Sequence, residues 1–115
     1  MKEISKEFEY KGKTYGLVFN LNVMAVIQDK YGTLDKWGKL TDSKDEEPNA
    51  KAIIFGIWAM INEYIDIQNE EHGTSEKPLT LKQTGRMITD IGLSEATKKV
   101  NETVVESTKS SEKNV

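Results

Sequence analysis

The side chains that could do chemistry in this sequence fall into small groups. Asp42, Asp45, Glu46 and Glu47 lie close together, and carboxylate oxygens are the ligands that a calcium ion takes. Their order lacks the alternating acidic positions, the central glycine and the distal glutamate of a calcium-binding loop, so the stretch reads as a solvated acidic connection. Glu63 and Asp66 put two carboxylates on one side of a helix, which is what general acid–base work would use. That spacing is ordinary on a polar helix face, and solvation is the expectation there. His72 is the single histidine of a chain without cysteine, so it has no second nitrogen or sulfur ligand. Beside Glu70, Glu71 and Gly73 it reads as a helix-end residue. No catalytic, cofactor-binding or metal-ligating set is expected, and function is to be sought in surfaces and partners.

The composition narrows the classes. With 115 residues the chain has room for one domain and one core. Its 37% hydrophobic and 30% charged residues are those of a globular protein. A net charge of -3 gives no basic stripe with which to displace counterions from nucleic acid. No apolar run approaches the roughly 18 residues of a membrane span. The opening Met-Lys-Glu-Ile-Ser-Lys-Glu-Phe has no apolar stretch of the kind a signal peptide carries. A cytoplasmic protein is therefore expected, with neither nucleic acid nor membrane as partner.

The elements that must position any surface follow from periodicity. Apolar and polar residues alternate over 3–10 and again over 14–19, with Phe8 and Tyr10 on one strand face and Tyr15, Leu17 and Phe19 on the other strand's. Lys11-Gly12 between them predicts a hairpin turn. A lone hairpin is marginal in water, so its apolar face must lie on helices. Asn20 or Asn22 is placed to cap a helix carrying Val23, Val26 and Ile27 and ending at Gly32. Leu34, Trp37 and Leu40 define a second short helical turn.

A long helix is predicted over 48–71, with Pro48 in its first turn. Ile53, Ile57, Met60, Tyr64 and Ile67 form one apolar stripe on it, and Ile54, Trp58, Ile61 and Ile65 form an adjacent one. Phe55 falls outside both, near Asn62 and Asp66. Trp37 and Trp58 are expected mainly as core, although tryptophan is also a common interface anchor. Thr80 and Gln83 have the spacing of a capping box ahead of Leu81, Thr84, Ile88 and Ile91. Ser94 is expected to cap a final helix carrying Ala96, Val100 and Val104, with a flexible tail over 107–115. The fold class is α+β, mainly α: an N-terminal β-hairpin packed on about four to five helices around the long one, with 1–106 as a single domain.

The stretch 83–98 resembles a DNA-reading helix-turn-helix around Gly92. Its register fails, because Lys98 and Asn101 fall where such motifs need core residues. A small DNA-binding regulator using 80–103 stands as an alternative all the same, and a structural protein as another.

Over most of its length the chain resembles a known family. The residues 10–19, 20–32, 34–40, Ala59-Met60-Ile61-Asn62-Glu63, 85–96 and Glu106-Ser107-Thr108-Lys109-Ser110 look like the tail assembly chaperones of long-tailed bacteriophages and prophages of Gram-positive bacteria. The likeness is global, without a diagnostic motif. It implies a non-enzymatic, mainly helical protein of the host bacterial cytoplasm that binds the tape measure protein during tail morphogenesis and is absent from the mature virion. The tail tube protein is a further candidate partner, and self-association into a homo-oligomer is a further expectation. The resemblance supplies no site residues. The broad apolar face of the long helix does: Ile54, Trp58, Ile61 and Ile65 as an exposed stripe, joined by Phe55, suited to helix-in-groove binding.

Overall fold

The computed structural model describes residues 6–42 and 47–113, with side chains as far as Thr108. It is α+β and mainly helical: strands β1 (Lys6–Tyr10) and β2 (Lys13–Leu17), then helices α1 (Leu21–Tyr31), α2 (Leu34–Thr41), α3 (Ala50–His72), α4 (Leu81–Ile91) and α5 (Leu93–Lys113). The expected strand start at Glu3, and Asp45 and Glu46 of the acidic stretch, lie outside the described residues.

The hairpin is antiparallel, with Phe8 opposite Tyr15 and Tyr10 opposite Lys13, which leaves Lys11-Gly12 as a two-residue turn. Both turn residues have positive φ, 53° and 76°. That is the primed turn whose twist matches paired strands, and glycine meets it without a Cβ penalty. Phe8, Tyr15 and Leu17 turn inward onto the helices.

Local capping sets the helix starts. Asn20 accepts from the Val23 N–H at the head of α1, and Thr33 accepts from Lys36 at the head of α2. Thr80 and Gln83 form the expected capping box on α4, each side chain bonded to the other residue's backbone N–H. Two expectations shift. The cap of α3 is Asn49, which accepts from Ala52 N–H, so Pro48 precedes the helix instead of opening it. Ser94 lies inside α5, because Gly92 alone separates α4 from Leu93. α5 also stays helical past the boundary expected at Glu106, through Lys113.

α3 is the axis of the fold, packed against β2, α1, α2, α4 and α5. Ile53, Ile57, Met60 and Ile61 on α3 are fully buried, together with Ile27 from α1, Met87 from α4 and Ala96 from α5. Removing such side chains from water stabilises by about 1.5–3 kcal/mol each for the larger ones. Trp37 fixes the angle of α2 against α3. Its indole N–H donates to Ala52 O at 3.0 Å, and its ring occupies the space above Gly56, where an added Cβ would collide with it. Leu40, which shares the periodicity of Leu34 and Trp37, is exposed, and Thr41 is buried with its hydroxyl donating to Gly38 O. Val26 and Leu81 are likewise exposed, while Met87 and Thr103 are buried without having been expected there.

Candidate partner-binding surface

Half of the stripe expected to be exposed on α3 is buried. Ile61 is 0% exposed and Ile65 3%, because α3 is surrounded by neighbours and both of its apolar stripes find cover. Ile54, Phe55 and Trp58 are partly buried and pack against the core. Ile54 approaches α4 at Gly85. Phe55 sits edge-on to Tyr31 at 5.7 Å and beside Trp58 at 5.2 Å, with the Lys30 ammonium over its ring. Burial raises the Tyr31 hydroxyl above its ordinary pKa. The polar side expected around Phe55 is thus a seam between α1 and α3.

Trp58 faces the connection between α3 and α4, where the structure shows an arrangement that sequence spacing did not reveal. Residues 74–79 run without helix or strand along α3. Asn62 donates its amide to Leu79 O at 3.0 Å and accepts from Leu79 N–H at 2.9 Å. Asn69 repeats the contact on Glu76, donating to its carbonyl at 2.9 Å and accepting from its N–H at 3.0 Å. The Trp58 indole N–H also donates to Leu79 O, at 2.9 Å. The only hint in the sequence is two asparagines seven apart on one helix, a pattern with no meaning until an extended segment lies beside it.

Glu63 differs from its expected solvated state: it accepts from the side-chain amides of Asn20 at 2.8 Å and Asn22 at 3.1 Å. A carboxylate there meets the positive end of α1 and ties that helix to α3. Asp66 and His72 are exposed, as expected. Among the described residues no group of three or more His, Cys, Asp or Glu side chains could hold a metal ion. No helix among them is long and apolar enough to cross a membrane.

A concavity of about 770 Å³ lies elsewhere, between the α1–α2 corner and the outer half of α5. Its floor is apolar: Phe19, Met24, Leu34 and Trp37 on one side, Val104 and Val105 on the other. On α5 the lining residues Asn101, Val104, Val105 and Thr108 follow the i, i+3, i+4, i+7 pattern, a second face turned away from the buried Ala96, Val100 and Thr103. Val105 is 53% exposed. The rim carries the Asp35–Lys39 ion pair at 3.2 Å, solvated and weakly stabilising. Sequence periodicity placed Val104 on the core stripe, against which it packs, and assigned Val105 nothing, because a second apolar face two turns long is invisible until α2 stands opposite it.

On the α4–Gly92–α5 pair the exposed cations Lys82 and Arg86 stand beside the exposed Asp90. Glu95 and Lys98 are both exposed on α5, and Lys99 donates to Glu7 O of the hairpin at 2.6 Å. No family model matches the chain, and neither a curated protein nor a solved structure shows significant similarity to it.

Proposed function

We propose that this protein is a phage tail assembly chaperone, a non-enzymatic protein that binds the tape measure protein during tail morphogenesis. It works in the host bacterial cytoplasm and does not remain in the mature virion. The observation that carries the reading is the open groove between α2 and α5, with its apolar floor and exposed Val105. Its lining on α5 covers two helical turns, about 10.5 Å, which is the footprint of one amphipathic helix laid across it. Tape measure proteins are long and helical, so repeated short helical footprints suit them. Holding apolar surface until a later partner displaces it requires affinity and reversible dissociation, and no reactive groups.

The contact residues follow the groove instead of the α3 stripe. Met24, Leu34, Val104 and Val105 take the partner helix, while Ile61 and Ile65 hold the core. The resemblance over 10–19, 20–32, 34–40, 59–63, 85–96 and 106–110 supports the choice of partner, with the tail tube protein as a second candidate. Coexpression with the long helix-rich protein, followed by size-exclusion chromatography with light scattering, tests the assignment and reads any self-association at the same time.

A further inference from the structure

We propose that the asparagine pair on α3 is an exchangeable peptide site, occupied by the chain's own residues 74–79 and open to an extended partner segment of the same chemistry. The site consists of Asn62, Asn69, Trp58 and Lys13. It is separate from the groove between α2 and α5 and does not depend on that groove's assignment.

The geometry is that of a ruler for extended backbone. Asn62 and Asn69 are seven residues apart on α3, a rise of about 10.5 Å. The residues they hold, Glu76 and Leu79, are three apart, and three extended residues span about 10 Å. Each asparagine satisfies both the N–H and the C=O of one residue, as a neighbouring strand would. Such contacts read backbone, not side chain, so they accept any extended segment of the right length. Selectivity comes from two side chains: the Glu76 carboxylate pairs with the Lys13 ammonium at the hairpin tip, and Leu79 packs on the core edge. The occupant is therefore an extended segment with an acidic residue followed three positions later by a leucine-sized one.

The resident strap is built to leave. Thr74, Ser75, Lys77 and Pro78 are exposed, and Leu79 is its one partly buried apolar anchor. Gly73 ends α3 in the left-handed conformation, the Thr74 N–H and hydroxyl bond back to Asn69 O and Oδ1, and Thr80 starts α4 with its own capping box, so the flanking helices keep their caps when the strap lifts beyond Thr74. Beside it lies a hollow of about 320 Å³ that includes Val26, Trp58, Ala59 and Ile65. Lifting the strap bares the apolar part of Trp58 and extends that hollow along α3. Segments held by few buried apolar contacts open at much lower free energy than the core.

The test uses the full chain and a capped peptide Thr-Ser-Glu-Lys-Pro-Leu-Thr, with a control peptide carrying Lys for Glu and Gly for Leu. In the unmodified chain the amides of Glu76 and Leu79 should exchange with solvent about 100-fold or more faster than that of Met60. Exchange at the Met60 rate would show that the strap leaves only on global unfolding and would overturn the proposal. A tethered strap competes at an effective concentration in the millimolar range. Millimolar peptide should therefore accelerate exchange at Glu76 and Leu79 further, and the control peptide should not. In Leu79→Gly, which loosens the strap, the peptide should bind and shift the Trp58 indole N–H resonance, with about tenfold weaker binding when Asn62→Ala or Asn69→Ala is added. Absence of acceleration in the unmodified chain would overturn the proposal even if Leu79→Gly fails to fold. Binding indifferent to both asparagine changes would overturn it as well.

Discussion

Trp37 and Trp58 each donate an indole N–H to a backbone carbonyl, at 3.0 Å and 2.9 Å, on different sides of one helix. Around Trp37 the structure is held by burial: the ring is 3% exposed, stacks against Phe19 at 6.5 Å and fills the space that Gly56 leaves on α3. Around Trp58 it is held by amide hydrogen bonds to Glu76 and Leu79 of a strap whose residues 74, 75, 77 and 78 are exposed. Apolar burial couples α2 to every residue of the core, so that junction fails only with the whole domain. A hydrogen-bonded strap gains little net free energy per bond, because water replaces each partner when it opens. The same side chain thus serves a rigid junction in one place and a local closure in the other.

Substitutions can break this contrast. Trp37→Ala leaves a large void and removes the indole's hydrogen bond to Ala52 O, and should cost about 3–5 kcal/mol, read as a loss of Tm and of the denaturant midpoint. Gly56→Ala attacks the same junction from α3 by driving a methyl into the indole. Overpacking of this kind costs about 1–3 kcal/mol in the same measurements. Asn62→Ala removes two strap bonds at a partly exposed site and should cost roughly 0.5–1.5 kcal/mol. Its distinguishing result is local: amide exchange should accelerate at Leu79 while remaining unchanged at Met60. A uniform acceleration would place the strap in the same cooperative unit as the core.

The smallest effect concerns Tyr31, which packs on Phe55 at the α1–α3 seam. Burial raises its folded pKa above the ordinary value of about 10, so the unfolded chain ionises first as pH rises. Below about pH 10 both states keep the proton and Tyr31 adds no pH dependence. Above it, stability should fall until the folded pKa is passed, and Tyr31→Phe should remove that decline from a pH series of denaturant midpoints.

What was legible in the sequence was what neighbouring residues decide among themselves. The Lys11-Gly12 turn, the Asn20 cap, the Thr80–Gln83 capping box and the breadth of the α3 apolar face all depend on a few adjacent positions. The exposure of Ile61 and Ile65 was misjudged because an apolar arc says how much cover a helix needs, not which elements supply it. Glu63, Asn62 and Asn69 read as ordinary polar positions, since their partners lie 43, 17 and 7 residues away in sequence. The break at Gly92 was expected, but not that a single residue would join two helices and carry Ser94 inside the second. The groove needed α2 and α5, which meet only in the folded chain.

The most direct test of the central assignment is size-exclusion chromatography with light scattering on the unmodified chain and on Val105→Asp, each coexpressed with the tape measure protein. Val105 is exposed in the groove and outside the core, so its replacement should leave Tm nearly unchanged. The account predicts a stoichiometric complex with the unmodified chain, lost or weakened at least about tenfold by Val105→Asp, since a charge in an apolar groove must be desolvated on binding. An unmodified chain that elutes alone at every salt concentration, or a complex indifferent to Val105→Asp, would contradict it.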